Sequence, residues 1–196
     1  MEDKTKQRMI AGFIIIIMVS SIAGFVLSFN TQNQSDLPKK YNGFKLNQNP
    51  DQTWTLEYRE REIKFINHPK QLEYLSVNKE VLDTIKSSKE MILLFDPNSD
   101  QAFLQGVDTI RYFISRQATY FGRFVNAGIT NQSEKYNLPI YSCDDQITSD
   151  KVLLKLTQEA SGEIKEENNC IIISGTEFEI VSKLDYISYL LLGVMK

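Results

Sequence analysis

Between Met9 and Ser35 the chain carries no charged side chain, and from Met9 to Phe29 it is almost continuously apolar, including four consecutive isoleucines at Ile14 to Ile17. As a helix rising 1.5 Å per residue this stretch is roughly 32 Å long, against a bilayer hydrocarbon core of about 30 Å. A helix in a water-soluble core normally keeps one polar face, and this one has none. Isoleucine is a modest helix former in water, but in lipid the need to satisfy every backbone group within the segment outweighs that preference. Residues 9–29 are therefore read as a transmembrane helix in contact with membrane lipid.

The flanks set its orientation. Lys4, Lys6 and Arg8 precede the helix, whereas the first charge after it is Asp36, with Lys39 and Lys40 further on. Positive charge is retained on the cytoplasmic side, which makes residues 1–8 a cytoplasmic stub and places the rest outside the cytoplasm, in a single-pass arrangement. The competing reading is a cleaved secretory signal, with Ser21-Ile22-Ala23 as a small-residue cleavage site. The run stays apolar from Gly24 to Phe29 beyond that site, which favours an uncleaved signal-anchor. Residues 30–40, Asn-Thr-Gln-Asn-Gln-Ser-Asp-Leu-Pro-Lys-Lys, hold nothing to build a core and read as a polar tether that spans at most about 36 Å.

Residues 41–196 remain as one extracytoplasmic domain. Averaged over all 196 residues, the composition looks like that of an ordinary soluble protein: 42% hydrophobic, 24% charged, net charge −3, mean hydropathy −0.28. Without the stub and the helix, 19 basic and 23 acidic residues are left, a net charge of −4. This weakly acidic balance argues against a nucleic-acid partner, which a basic stripe would signal.

Cys143 and Cys170 both fall in this domain, and an oxidising compartment makes a disulfide between them the expected state. The geometry is conditional. Cys143 follows the strand-like Leu138 to Ser142 and Cys170 opens Ile171-Ile172-Ile173, so parallel neighbours in register would hold the two thiols apart; pairing requires an antiparallel or shifted arrangement. A nucleophilic Cys143 is disfavoured, because Asp144 and Asp145 raise a thiol pKa and the single histidine, His68, sits far off beside Pro69 in what reads as a surface loop. Two sequons, Asn33-Gln34-Ser35 and Asn131-Gln132-Ser133, stand where glycosylation is tolerated.

The element pattern indicates an α/β domain, with α+β as the other arrangement it allows, on a mixed sheet preceded by a β-hairpin region. Thr53 to Ile66 alternates as a hairpin around Arg59-Glu60-Arg61, with Gly43 to Leu46 as a further strand. In the hairpin, the alternation of Trp54 and Tyr58 fits core packing better than a recognition surface. A short helix is expected over Lys79 to Ser87. Met91 to Phe95 reads as a strand buried on both faces. Pro97 ends it, Ser99 or Asp100 caps a helix, and Phe103, Val107, Ile110, Ile114, Ala118 and Phe121 recur at helical steps. After a loop around Asn126 to Asn137, strands are expected at Pro139–Ser142, Val152–Thr157 and Cys170–Ser174, with Gly175-Thr176 turning into a partner strand over Glu177–Val181. Leu184 to Met195 closes the chain as a helix docked on the sheet.

The acidic turn Asp96-Pro97-Asn98-Ser99-Asp100 is the best candidate for chemistry. Asp96 stands at the carboxyl end of a strand, where ligands gather in open α/β sheets, and Asp144 and Asp145 follow another strand-like run. Together Asp96, Asp100, Asp144 and Asp145 form a candidate divalent-metal site for Mg²⁺ or Ca²⁺; the competing role of such residues is to cap helices and shape turns. The turn's spacing is similar to the Asp-x-Ser-x-Ser adhesion site of von Willebrand factor A domains, with Asn98 and Asp100 where that motif has serines. No phosphate loop, Cys/His metal motif or nucleophile elbow occurs, so no catalytic or cofactor-binding residues are assigned.

The N-terminal anchor, the Met91–Phe95 strand ending in Asp96, the run Asn169-Cys170-Ile171-Ile172-Ile173 and the terminal Leu184 to Met195 segment resemble uncharacterised archaeal single-pass membrane-anchored proteins with an extracytoplasmic domain. The resemblance implies the topology and no activity. Two functions follow: a non-catalytic interaction module partnered with another membrane or surface protein, or a cation- or small-ligand-binding domain, hydrolytic in one version, centred on the four aspartates.

Overall fold

A computed structural model describes residues 37–144, 150–159 and 162–196. The anchor segment 9–29, Asn33 and Asp145 lie outside the described residues. Among the described residues, no helix is long and apolar enough to cross a membrane.

The alternation seen in the sequence produces a four-stranded antiparallel sheet: β1 (Lys40–Tyr41), β2 (Phe44–Gln48), β3 (Trp54–Tyr58) and β4 (Arg61–Phe65), in that spatial order. The ladder aligns Leu46, Leu56 and Ile63 across three strands, and these side chains, with Trp54 and Phe65, are buried on one face. The outer face carries the ion pairs Lys45–Glu57 and Lys64–Asp51, each at 2.6 Å. The hairpin and the third strand are found where expected. Order extends back into the tether sequence, since β1 begins at Lys40 and Pro38 is hydrogen-bonded to His68.

A second, five-stranded sheet has the order β6-β5-β7-β9-β8, formed by β5 (Glu90–Phe95), β6 (Phe124–Ile129), β7 (Lys151–Gln158), β8 (Ile164–Glu167) and β9 (Cys170–Gly175). β5, β6, β7 and β9 are parallel, and only β8 runs antiparallel, against β9. The continuous apolar run in β5 reflects burial on both faces, as parallel central strands require. Three helices accompany the sheets: α1 (Lys79–Ser87), α2 (Gln101–Ala118) and α3 (Glu177–Leu191). Val81 and Ile85 of α1, Phe103, Val107 and Ile114 of α2, and Ile180, Leu184 and Ile187 of α3 share one core with Leu93, Phe95, Leu154 and Ile173 of the sheet.

α3 is buried almost all round because it meets both sheets. While Ile180, Leu184 and Ile187 join the core of the parallel sheet, Tyr189 stacks on Phe65 of β4 with ring centroids 4.0 Å apart. The helix ends in a Schellman motif: Val194 N–H donates to Tyr189 O and Gly193 adopts φ +73°. The Asn42 side chain holds Val194 O at 2.9 Å, fastening the β1–β2 turn to the end of the chain.

Four expectations are corrected. The loop expected around Asn126 to Asn137 begins later, because Phe124–Ile129 forms edge strand β6; its exposed Phe124 and Asn126 weaken the apolar signal of a strand. Pro139–Ser142 is no strand and makes a single parallel bridge, Ile140 to Ile129, before crossing the sheet face. Glu177–Val181 is the first turn of α3 and not a strand; Thr176 and Glu179 form a capping box there. His68 is fully buried, not on the surface.

Candidate functional site

The three described acidic candidates, Asp96, Asp100 and Asp144, each have local hydrogen-bond partners. Asp96 Oδ1 accepts from Asn98 N–H at 2.9 Å in an Asx turn and from the Asn131 side chain at 3.4 Å. Asp100 caps α2 by accepting from Phe103 N–H at 2.8 Å, and that backbone hydrogen bond is the main reason its carboxyl titrates below the usual range. Asp144 accepts from the Asn168 side chain at 3.4 Å, beside a hollow of about 240 Å³ whose wall includes Lys155 and Glu167. Among the described residues, no group of three or more His, Cys, Asp or Glu side chains is arranged to hold a metal ion. Asn131 of the second sequon is exposed.

Cys143 and Cys170 form a disulfide, with Cα atoms 5.2 Å apart. Neither an antiparallel nor a shifted strand pairing is involved, because Cys143 does not follow a strand. Cys143 belongs to a strap that leaves the β6 edge at Ile140, lays Tyr141 over Gly128, and reaches the first residue of β9; Asn169 N–H donates to Cys143 O at 3.1 Å there. A Cβ on Gly128 would lie 2.5 Å from the Tyr141 ring, so the strap's close approach requires glycine. With Cys170, the strap covers Ile92, Leu94, Leu153 and Ile172, the sheet face opposite the helices.

His68 is buried within the antiparallel-sheet region, and Asp185 is buried where α2 and α3 meet the end of β4. His68 Nε2–H donates to Pro38 O at 3.0 Å while Nδ1 accepts from Lys70 N–H at 3.1 Å, which fixes a neutral tautomer. Burial against Trp54, 4.6 Å away, lowers its pKa. Asp185 Oδ2 accepts from Ile66 N–H, Asn67 N–H and the Asn67 side chain at 3.0, 2.8 and 3.1 Å, and Oδ1 accepts from the Gln117 side chain at 3.0 Å. Burial pushes this carboxyl up to about 6 against the pull of those donors. Ser188 completes the cluster by donating to Gln117 Oε1 at 2.8 Å. Each polar atom here is matched by another within the fold, so the cluster serves to fasten α2 and α3 to the antiparallel sheet.

Among the described strands, none pairs with the outer edge of β6. Beside it runs a groove of about 630 Å³, lined by Asp108, Arg111, Tyr112 and Ser115 of α2 and by Leu138 and Pro139. Three of the large hydrophobic side chains left exposed lie along this edge: Phe124 at 74%, Tyr112 at 57% and Ile140 at 56%. Sequence reasoning missed this rim. Its available signals are the alternation of Phe124 to Ile129 and the position of Tyr112 off the apolar face of α2.

Compared with known proteins, the chain matches no family model, no curated protein and no solved structure.

Proposed function

We propose that the protein is a membrane-anchored extracytoplasmic interaction module, a non-catalytic component of a membrane protein assembly. The observation that carries the interaction role is that three of the five large hydrophobic side chains left exposed among the described residues, Tyr112, Phe124 and Ile140, stand on α2, on β6 and on the segment bridged to β6. A contiguous exposed apolar surface marks a site covered by a partner. The anchoring role rests on the charge-free run 9–29, and the extracytoplasmic role on that run together with the disulfide. The arrangement resembles that of archaeal single-pass anchored proteins in topology.

The test is chemical crosslinking of the full-length chain in its own membranes, gentle solubilisation and purification. The expected result is one partner recovered in stoichiometric amount. A chain that runs alone after crosslinking contradicts the reading.

A further inference from the structure

β5 leads through α2 to β6 on one side of the sheet and β7 leads to β9 on the other, so the chain diverges between β5 and β7. Ligands of open α/β sheets gather toward the carboxyl ends of the strands at such a divide. Leu94 of β5 and Lys155 of β7 are partners across it, and Ile172 of β9 continues the same row. Leu94 and Ile172 are buried in the apolar cluster under the strap, so half-buried Lys155 sets a charge into an otherwise apolar row. Its stem packs on that face as long side chains do, yet no ion pair among the described residues involves its ammonium group.

Lys155 lines the hollow of about 240 Å³ together with Asp144 and Glu167. Glu167 is paired with Lys165 at 3.3 Å, whereas Asp144 has neutral partners, the Asn168 amide at 3.4 Å and the Ser142 hydroxyl at 3.5 Å. Lys155 and Asp144 thus share one hollow without pairing with each other. The scaffold fixes their separation. Lys155 belongs to a central strand, and Asp144 follows Cys143, which is bonded to Cys170 at the start of β9 and accepts from Asn169 N–H at 3.1 Å. Charges held in place before binding lose little freedom on binding.

We propose that this hollow binds a small zwitterion of the α-amino-acid class, with its carboxylate on Lys155 and its ammonium group on Asp144. The site goes beyond the interaction role and does not rest on it. A simple anion on Lys155 would meet the charge of Asp144, and a simple cation on Asp144, a metal ion included, would meet that of Lys155; each is disfavoured by like charge in the same hollow. A zwitterion satisfies both. The volume is below the roughly 300–1,000 Å³ of pockets that enclose drug-sized ligands, which restricts the occupant to a small molecule.

The test uses the full-length chain in lipid nanodiscs and follows L-alanine binding by saturation-transfer NMR. Propionate, which lacks the ammonium group, and ethylamine, which lacks the carboxylate, are measured beside it. Lys155→Met removes one charge and keeps an apolar stem; Asp144→Asn removes the other and keeps the shape. The expected result is saturable binding of L-alanine at concentrations up to about 10 mM, at least tenfold weaker binding of propionate and ethylamine, and at least tenfold loss with each substitution at an unchanged urea midpoint. If Lys155→Met fails to fold, Asp144→Asn and the ranking of the three ligands carry the same decision. Absence of saturable L-alanine binding overturns the site and leaves the interaction module untouched. L-alanine binding that survives either substitution places the ligand elsewhere and also overturns it. Propionate or ethylamine binding as tightly as L-alanine overturns the zwitterion in favour of a single-charge ligand.

Discussion

Asp185 and Asn67, 118 positions apart, meet through one oxygen: Asp185 Oδ2 accepts both the Asn67 backbone N–H at 2.8 Å and the Asn67 side-chain N–H at 3.1 Å. This pair fixes the exit of β4 to the middle of α3. Its pH dependence has a definite sign. A carboxyl at about 6 in the fold and 3.8 when unfolded stabilises the fold fully below about pH 4, and that contribution is lost as pH rises through 6. The rise from 3.8 to about 6 corresponds to roughly 3 kcal/mol. His68, whose pKa burial lowers, acts in the opposite sense in the same window, losing stability as pH falls below 6.5. The comparison with Asp185→Asn isolates the aspartate: the stability advantage of the native chain over the variant should be larger at pH 4 than at pH 7. An advantage that grows with pH would mean that the four donors outweigh burial.

The β3–β4 turn is strained by its residues. Arg59 and Glu60 both adopt positive φ, +48° and +64°, while the neighbouring β1–β2 turn places Asn42 and Gly43 in the same region at +47° and +86°. Glycine bears such a conformation without a Cβ penalty. Glu60→Gly should raise stability by about 0.5–1 kcal/mol, read as an increased urea midpoint. Arg59→Gly should gain less, because it forfeits the guanidinium over the Tyr58 ring at 5.2 Å. Equal or reversed gains would refute this ordering.

Removing the disulfide tests the strap. The loop it closes, with a sequence separation of 27, is worth about 3.6 kcal/mol in the chain-entropy account. Cys143→Ala with Cys170→Ala should lower the melting temperature by about 10 °C. A change below about 2 °C would show that the strap holds by packing alone.

How far the sequence disclosed this fold depended on how locally each signal was written. Met91–Phe95 and the helix after Asp100 were legible because their apolar spacing is set by burial against a contiguous core. β6 was not, since an edge strand needs only its last residues buried. Gly175-Thr176 reads as a turn into a partner strand, yet Thr176 and Glu179 spell out the capping box that starts α3. His68 looked superficial because its partners, Pro38 O and the Trp54 ring, are distant in sequence. The disulfide followed from compartment logic, yet its route over Gly128 did not. The rim of Tyr112, Phe124 and Ile140 exists only once α2, β6 and the strap are assembled.

The central claim, an anchored domain outside the cytoplasm, is tested most directly by the thiol state of the native chain. Membranes carrying the full-length protein are washed with alkaline carbonate, treated with a thiol-blocking reagent, solubilised and digested without reductant for mass spectrometry. The account predicts that the chain stays in the membrane fraction and that the Cys143 and Cys170 peptides are recovered joined. Two blocked free thiols, or release of an uncleaved chain by carbonate, would contradict it.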